Sequence, residues 1–485
     1  MNTVTTVAMT WSDLWPIYPE AAVLVGAGII LIVDLALPAS YKRLTELLAI
    51  LTLVGASWLT TQQPFAQHLA VFSGFFVLDP MAHVLKLFTY ALVALAFFYS
   101  RDYLEQRNLL RGEYYVLGLT AMLGMLVIIS AGSLLTIYLG VELLALSQYA
   151  MVAFNRESGV AAESAMKYFV LGAVASGLLL YGISIVYGVT GTFALQPLTA
   201  AVTAGTAQNV GLLFGLAFIV VGIAFKFGAV PFHMWIPDVY HGAPTCVTLF
   251  ISSAPKIASF ALAMRVLAEG LGGANVAWQQ MLIVLSVLSM ALGNIVAIAQ
   301  TNLKRMLAYS AISHVGFILL GVLAATPDGY RAAMFYTLAY TVTTIGSFGV
   351  ILLMSAKGYE ADEIEDYKGL NDKSPWFAAM MLFFMFSTAG VPPFVGFFAK
   401  LYVIQAVLNV NMTWLAVAAV LFSVIGAFYY LRIIKVMYFD KATNEKLIGA
   451  NLGFRILLSA NAIAVLLLGL FNGRLLDVCI RAIHG

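Results

Sequence analysis

The chain has 485 residues and a formal net charge of +2; hydrophobic types make up 62% of it, charged types only 10%, and the mean hydropathy is +0.94. Soluble domains carry ~45–50% apolar and ~25% charged residues, so composition excludes a soluble enzyme, a disordered chain and a nucleic-acid-binding domain. At ~20 apolar residues per membrane-spanning helix, the apolar content suffices for roughly fourteen or fifteen spans.

Only helices and closed barrels satisfy their backbone polar groups in lipid. The apolar runs are too long and unbroken for the alternating pattern of barrel strands. The expected fold is therefore an all-α polytopic membrane protein. In chain order, apolar segments fall near 15–38, 44–62, 76–99, 114–131, 133–153, 166–190, 209–229, 244–267, 276–299, 306–325, 332–355, 376–405, 413–438 and 454–471, which predicts 14 transmembrane helices. The seventh runs straight into Pro231 to Pro237, and the twelfth is long because it contains Pro392-Pro393, so both are expected to be broken. The largest charged loop, 357–373, is a short connector, and no soluble domain is expected. The two cysteines, Cys246 and Cys479, are far apart, which leaves no CxxC pair, iron–sulfur framework or disulfide scaffold. The first twenty residues contain no Lys or Arg, so no cleaved signal peptide is expected.

Lys and Arg in alternate loops set the orientation. With the N-terminus outside, sixteen of the 25 basic residues, Lys304, Arg305, Lys357 and Lys446 among them, fall in inside loops. Four fall outside: Arg265, Arg331, Arg474 and Arg481. Both termini are expected outside, consistent with an even number of spans. The remaining five, Lys86, Lys167, Lys226, Lys256 and Lys400, fall inside apolar segments.

A lysine at the bilayer centre costs ~2.5–3.5 kcal/mol on insertion scales, and intramembrane charges commonly mark ion or proton paths. Lys167 lies near the start of its segment, where snorkelling can rescue it. Glu142 is the only charged residue between Glu113 and Arg156 and sits mid-segment. It reads either as a proton or ion relay or as half of an interhelical ion pair. Lys226 ends a stretch of 58 uncharged residues, 168–225. Pro231 follows it, and His233, seven residues on, would share its face in an unbroken helix. A broken helix in lipid must face protein or a wet cavity, and a buried lysine there changes charge readily. The alternative is a fixed counter-ion for Glu142. Lys256 follows Pro255, and Lys400 lies seven residues after Pro393, so lysines recur within two turns of prolines. His314 sits mid-segment, either bridging relay groups or as a hydrogen-bonded core residue.

Two stretches recur. Ala145-Leu146-Ser147-Gln148 matches Ala311-Ile312-Ser313-His314 at an offset of 166, and Gly228-Ala229-Val230-Pro231-Phe232 resembles Gly390-Val391-Pro392-Pro393-Phe394 at about 161. Segments 4–8 and 9–13 therefore read as copies. Five is an odd number, so the copies have inverted topology, an arrangement whose broken helices mark the transport site. The copies have diverged: Ala308 stands where the first has Glu142. The expected division is 1–112 as an N-terminal three-helix block, 113–270 and 271–445 as the two five-helix repeats, and 446–485 as a C-terminal helix.

Four stretches carry a family resemblance. They are Lys226-Phe227-Gly228-Ala229-Val230-Pro231-Phe232-His233-Met234-Trp235-Ile236-Pro237-Asp238-Val239-Tyr240, then Gly242-Ala243-Pro244-Thr245 with Ala254-Pro255-Lys256, then 302–314, and Gly390-Val391-Pro392-Pro393 through Lys400. The chain resembles the antiporter-like membrane subunits of respiratory complex I and of Mrp-type cation/proton antiporters, over nearly its whole length. Within the family it looks most like the bacterial N-type branch. The M-type branch has a Glu where Lys400 stands, and the L-type continues into a long lateral helix where this chain stops at Gly485.

The resemblance implies a proton-translocating subunit of NADH:quinone oxidoreductase in a bacterial inner membrane. Glu142 and Lys226 would be the interacting pair of a first half-channel. Lys256 would pass protons along a central axis to Lys400, the terminal group. Lys167 would tune the Glu142 region, and His233 and His314 would bridge; Lys86 matches no role. No flavin, iron–sulfur cluster or quinone headgroup is implied on this chain. FMN, iron–sulfur clusters and quinone would belong to partner subunits, with M-type and small hydrophobic subunits as neighbours. A sodium or potassium/proton antiporter subunit and a membrane-bound hydrogenase subunit are the alternatives within the fold, and a purely structural spacer is the alternative outside transport.

Overall fold

The computed structural model describes residues 11–38, 42–65, 67–355, 358–442 and 451–484. Lys357, Lys446 and Gly485, used above for orientation and chain end, lie outside the described residues. The helices are α1 (Tyr18–Ala36), α2 (Arg43–Thr61), α3 (Pro80–Gln106), α4 (Gly112–Ile129), α5 (Leu134–Val152), α6 (Gly159–Thr190), α7 (Leu195–Thr203), α8 (Val210–Phe227), α9 (Trp235–Gly242), α10 (Thr245–Ser252) and α11 (Pro255–Ala263). There follow α12 (Asn275–Ala299), α13 (Leu303–Leu323), α14 (Pro327–Met354), α15 (Leu370–Lys373), α16 (Pro375–Ala389), α17 (Val395–Asn409), α18 (Thr413–Phe439), α19 (Leu452–Leu470) and α20 (Asn472–His484). Among the described residues, 13 helices are long and apolar enough to span a membrane. The shorter apolar pair α16 and α17 flanks Pro392-Pro393 and occupies the twelfth expected segment.

Local chemistry sets many of the boundaries. Asp79, Ser133, Asn302, Thr326 and Asn451 each accept a backbone N–H from the first turn of the helix that follows, satisfying donors that would otherwise be orphaned. Three elements differ from expectation. Residues 76–78 form not helix but strand β2 (Phe76–Leu78), antiparallel to β1 (Leu69–Val71), and α3 begins only at Pro80. The eighth segment is split: α10 stops at Ser252, Ser253 leaves helical geometry (φ −109°, ψ −94°), and α11 starts at Pro255. It then passes into a π-helix over Met264–Gly270. A last helix, α20, follows the fourteenth segment.

The helices sort into an inner and an outer set. The Thr245–Gly270 span is buried throughout its apolar window, and α13 and α14 are 94% and 89% buried in theirs, whereas α6, α18 and α19 are 33% buried. The inner set is thus shielded by the chain itself, and the outer helices present Leu, Val, Ile and Phe outward, as lipid-facing or partner-facing surfaces require. α6 packs along α8, α4 along α5, and α12 along α13. One end of the bundle gathers the starts of α13 and α16 and the loop at 358–369, and is called the basic end below.

Candidate functional site

The site starts from two interrupted helices. α8 ends at Phe227, and Gly228 turns the chain with φ +79°, a left-handed conformation that favours glycine. A Cβ there would lie 1.9 Å from Ile236 Cδ1. Pro231 follows, lacking an N–H. The interruption strands the last carbonyls of α8 in a buried place, and each finds a donor. Ala224 accepts from the Gly228 and Ala229 N–H groups, both at 2.8 Å. Phe225 accepts from Trp235 Nε1 at 3.1 Å, and Lys226 from Ser259 Oγ at 3.4 Å. Phe227 accepts from Lys256 Nζ at 2.7 Å.

The second interruption repeats this plan. α16 ends at Ala389, Gly390 takes φ +87°, and Pro392-Pro393 follows. Lys400 Nζ donates to the Ala389 carbonyl at 2.9 Å and to Ser423 Oγ at 3.1 Å. The final carbonyl of each half-helix is therefore held by a lysine ammonium group, at the end where the helix dipole favours a cation. Lys256 and Lys400 are 2% and 7% exposed, so little solvent competes for these contacts.

Small cavities join these groups. One is lined by Glu142, Tyr149, Ser176 and Lys226. A second is lined by Gln148, Tyr168, Lys226, Trp235, Lys256 and Ser259. Lys226 lines both and so stands between Glu142 and Lys256. The Glu142 carboxylate accepts a hydrogen bond from the Ser176 hydroxyl, and the residue is only half-buried, on the outward side of α5. A third small cavity is lined by His314, Tyr336, Tyr340, Thr343, Ser387 and Thr388. His314 is 5% exposed, with Nδ1 2.7 Å from the Tyr336 hydroxyl and Nε2 2.9 Å from that of Tyr430. Phe317 stacks on Tyr336, and Lys400 Nζ lies 5.3 Å above the Phe317 ring.

The structure thus brings Glu142, Lys226 and Lys256 together around two adjoining cavities, and His314 and Lys400 together at Phe317, with Pro231, Pro392 and Pro393 at the helix interruptions. Two expected members stand aside. Lys167 is half-exposed and pairs with Glu163 at 2.8 Å and Asp238 at 3.0 Å, away from the Glu142 cavity. His233 sits half-buried in the turn between α8 and α9, and the break separates it from the face of Lys226. Lys86 is fully buried in an ion pair with Glu20, 2.6 Å away on α1. That partner lies 66 residues upstream in sequence.

Two buried cations counted above as loop residues are also part of the interior. Lys304 is 3% exposed, 3.4 Å from Thr245 Oγ1 and 3.9 Å from Asp362. Arg265 is 1% exposed and grips Asp79 with two bonds of 2.6 and 2.9 Å, and also donates to Glu269 and the Ile129 carbonyl. Burial pushes the Asp79 carboxyl up, but the Arg265 guanidinium outweighs it and holds the group below the usual carboxylate range. Among the described residues, no three His, Cys, Asp or Glu side chains are grouped as a metal site.

Comparison with known proteins gives a consistent picture. The family model described as NADH:quinone oxidoreductase/Mrp antiporter, TM, matches residues 131–426. NADH-quinone oxidoreductase subunit N of Thiobacillus denitrificans is 56% identical over 468 residues, covering 96% of this chain and 97% of the relative. Its counterpart from Thioalkalivibrio sulfidiphilus is 54% identical over 472 residues, covering 97% and 98%. Among solved structures, a chain of respiratory complex I from Thermus thermophilus with bound aureothin superposes with a TM-score of 0.82 at 28% identity, covering 95% of this chain and 98% of that one. A chain of the membrane-bound sulfane sulfur reductase, an archaeal respiratory membrane complex, superposes with a TM-score of 0.86 at 26% identity and 97% coverage of both.

Proposed function

The chain belongs to the NADH:quinone oxidoreductase/Mrp antiporter family of membrane subunits, in its subunit-N branch, and we propose that its series Glu142, Lys226, Lys256, His314 and Lys400 is the path along which it moves protons. It is a multi-pass, proton-translocating subunit of bacterial complex I and works with the other subunits of that assembly. The observation that carries the proposed path is the pairing of each interrupted half-helix with a lysine that holds its last carbonyl, Lys256 on Phe227 and Lys400 on Ala389.

Such a lysine has two states. Protonated, its three donors and its charge suit the carbonyl end of a helix dipole. Deprotonated, it loses the charge and can accept a proton from a neighbour. Lys226 shares one cavity with Glu142 and another with Lys256. A charged Glu142 favours the proton on Lys226. When that charge is neutralised or its coupling weakens, Lys226 passes the proton to Lys256. From there it moves through His314 to Lys400 and leaves at the end opposite the basic end. Quinone reduction in the partner subunits drives the cycle by changing the charge next to Glu142, which its half-exposed position permits. FMN, iron–sulfur clusters and quinone belong to those partners, and this chain contributes the proton path.

The remaining residues support the path in this reading. Lys167 and Arg305 both bind Asp238, each at 3.0 Å, and so tie α6 and α13 to the resumed half-helix α9. His233 flanks the first interruption. Residues 113–270 and 271–445 act as the two inverted repeats. The basic end faces the cytoplasm, and both termini face the periplasm. The neighbours at the membrane arm are M-type and small hydrophobic subunits.

The test uses the native assembly. A tagged chain is pulled down from gently solubilised membranes, and the eluate is assayed for NADH-driven quinone reduction and bound flavin. Activity with flavin is expected. A flavin-free eluate whose vesicles exchange sodium for protons without NADH would overturn the reading in favour of a cation/proton antiporter.

A further inference from the structure

His314 is flanked on its two ring nitrogens by tyrosines from different helices, and these lie on opposite sides of it along the membrane normal. Tyr336 is nine residues into α14, which starts at the end opposite the basic end. Tyr430 is nine residues from the finish of α18 at the basic end. From Tyr430 the hydrogen bonding continues to α13 and, through Tyr429, to α12. Its hydroxyl contacts that of Ser310, one turn before His314 on α13. It also lies 3.3 Å from the Tyr429 hydroxyl, which is 3.0 Å from Asn294 Oδ1. Asn294 is five residues from the end of α12 at Ala299, about 7.5 Å of helix rise from the basic end. Arg432 closes that end, donating to the Ile298 carbonyl at 2.9 Å and to the Gln300 carbonyl at 2.5 Å. Asn294, Tyr429, Tyr430 and Ser310 are each at most 2% exposed, so these hydroxyls are committed to one another.

We propose that Asn294, Tyr429, Ser310 and Tyr430 form a second proton-uptake branch, running from the basic end to His314 and feeding the second repeat without passing through Lys226. The inference rests on the relay reading given above and adds an entrance to it. A tyrosine or serine hydroxyl donates one proton and accepts another, so a row of them passes a proton without a net change in any member. Water reaching Asn294 delivers a proton to the Tyr429 hydroxyl. Tyr429 replaces the proton that Tyr430 gives to His314 Nε2, and the Ser310 hydroxyl holds that of Tyr430 in place. The imidazole, protonated on both nitrogens, releases the Nδ1 proton to the Tyr336 oxygen, and Tyr336 passes its own proton into the cavity lined by Thr343, Ser387 and Thr388. One proton enters and one leaves. The 2.7 and 2.9 Å distances at the two nitrogens are those of direct proton transfer. Packing alone would be served by phenylalanine at 429 and 430, and two buried tyrosine hydroxyls in sequence from Asn294 to one ring nitrogen point to conduction.

Proteoliposomes carrying the whole complex provide the test. Tyr430→Phe keeps the ring and removes only the hydroxyl. It should leave the amount of assembled complex at the wild-type level, lower NADH-driven proton pumping at least threefold, and deepen the slowing in D2O. In a His314→Ala background the same substitution should lower pumping no further. If Tyr430→Phe fails to assemble, Tyr429→Phe, one hydrogen bond further along, makes the same measurement. An assembled Tyr430→Phe complex with wild-type pumping and wild-type slowing in D2O would overturn the branch. Lys226→Ala in the same membranes separates the two readings. If it is inactive while Tyr430→Phe is silent, only the branch falls; if both are silent, the relay itself falls.

Discussion

Lys256 and Lys400 each combine two properties that a single substitution can separate. As hydrogen-bond donors they satisfy a buried carbonyl, and leaving such a group unpaired costs ~1–3 kcal/mol. As titratable amines they can lose the proton. Arginine keeps the first property and gives up the second, because guanidinium does not deprotonate in proteins. Lys256→Arg is therefore expected to keep the thermal midpoint of the assembled complex near wild type while lowering proton pumping at least tenfold. Lys256→Met should lower both. Pumping by Lys256→Arg at the wild-type rate would show that the ammonium group acts only as a cap. These two lysines, with Lys226 and Glu142, were visible in the sequence because a charge inside an apolar run has no other cheap explanation. Lys167 stands near the start of its apolar run, as its position there suggests, and pairs with Glu163 one turn earlier on α6.

At the scale of elements, the helix that carries Lys256 is fixed at both ends. One end is Lys256 on the Phe227 carbonyl, and the other is Arg265, where the π-helix meets Asp79 at the start of α3. Removing one partner of a buried ion pair costs ~3–5 kcal/mol, whereas removing both is often nearly neutral. Arg265→Met alone should sharply reduce the amount of assembled complex on native gels, and Asp79→Asn added to Arg265→Met should recover much of it. Equal losses in the single and double variants would assign Arg265 a role other than neutralising Asp79. Sequence placed Arg265 and Lys304 in loops, because hydropathy windows end where charges begin. Both charged groups in fact lie at the ends of inner helices and are covered by other elements. The interruption between α10 and α11 was half legible, since Pro255 announces a helix start but not the departure of Ser253.

At the scale of the molecule, the proposed path reaches the chain's own surface at Glu142, which is half-buried. Leu139 and Leu146, three residues before and four after on the same face of α5, are 59% and 55% exposed. A carboxylate on such a face is costly against lipid, so this surface is expected to lie against another membrane subunit. A photo-crosslinker attached at Leu146→Cys in the intact complex should capture a partner subunit, and capture of lipid alone would contradict that placement. Most of the fold was readable from the order of apolar segments, and the two broken helices from their prolines. The partners of His314 were not, because Tyr336 lies 22 residues and Tyr430 116 residues away, and nothing local marks either. Nor was the Glu20 partner of Lys86, for the same reason.

The most direct measurement is proton pumping by the reconstituted complex carrying Lys226→Ala, with assembly checked on native gels and NADH–quinone reduction followed in the same vesicles. Lys226 stands between the Glu142 cavity and the Lys256 cavity, so its loss should lower pumping and depress coupled quinone reduction while the complex assembles normally. Full coupled activity in an assembled Lys226→Ala complex would contradict the proton path from Glu142 through Lys226.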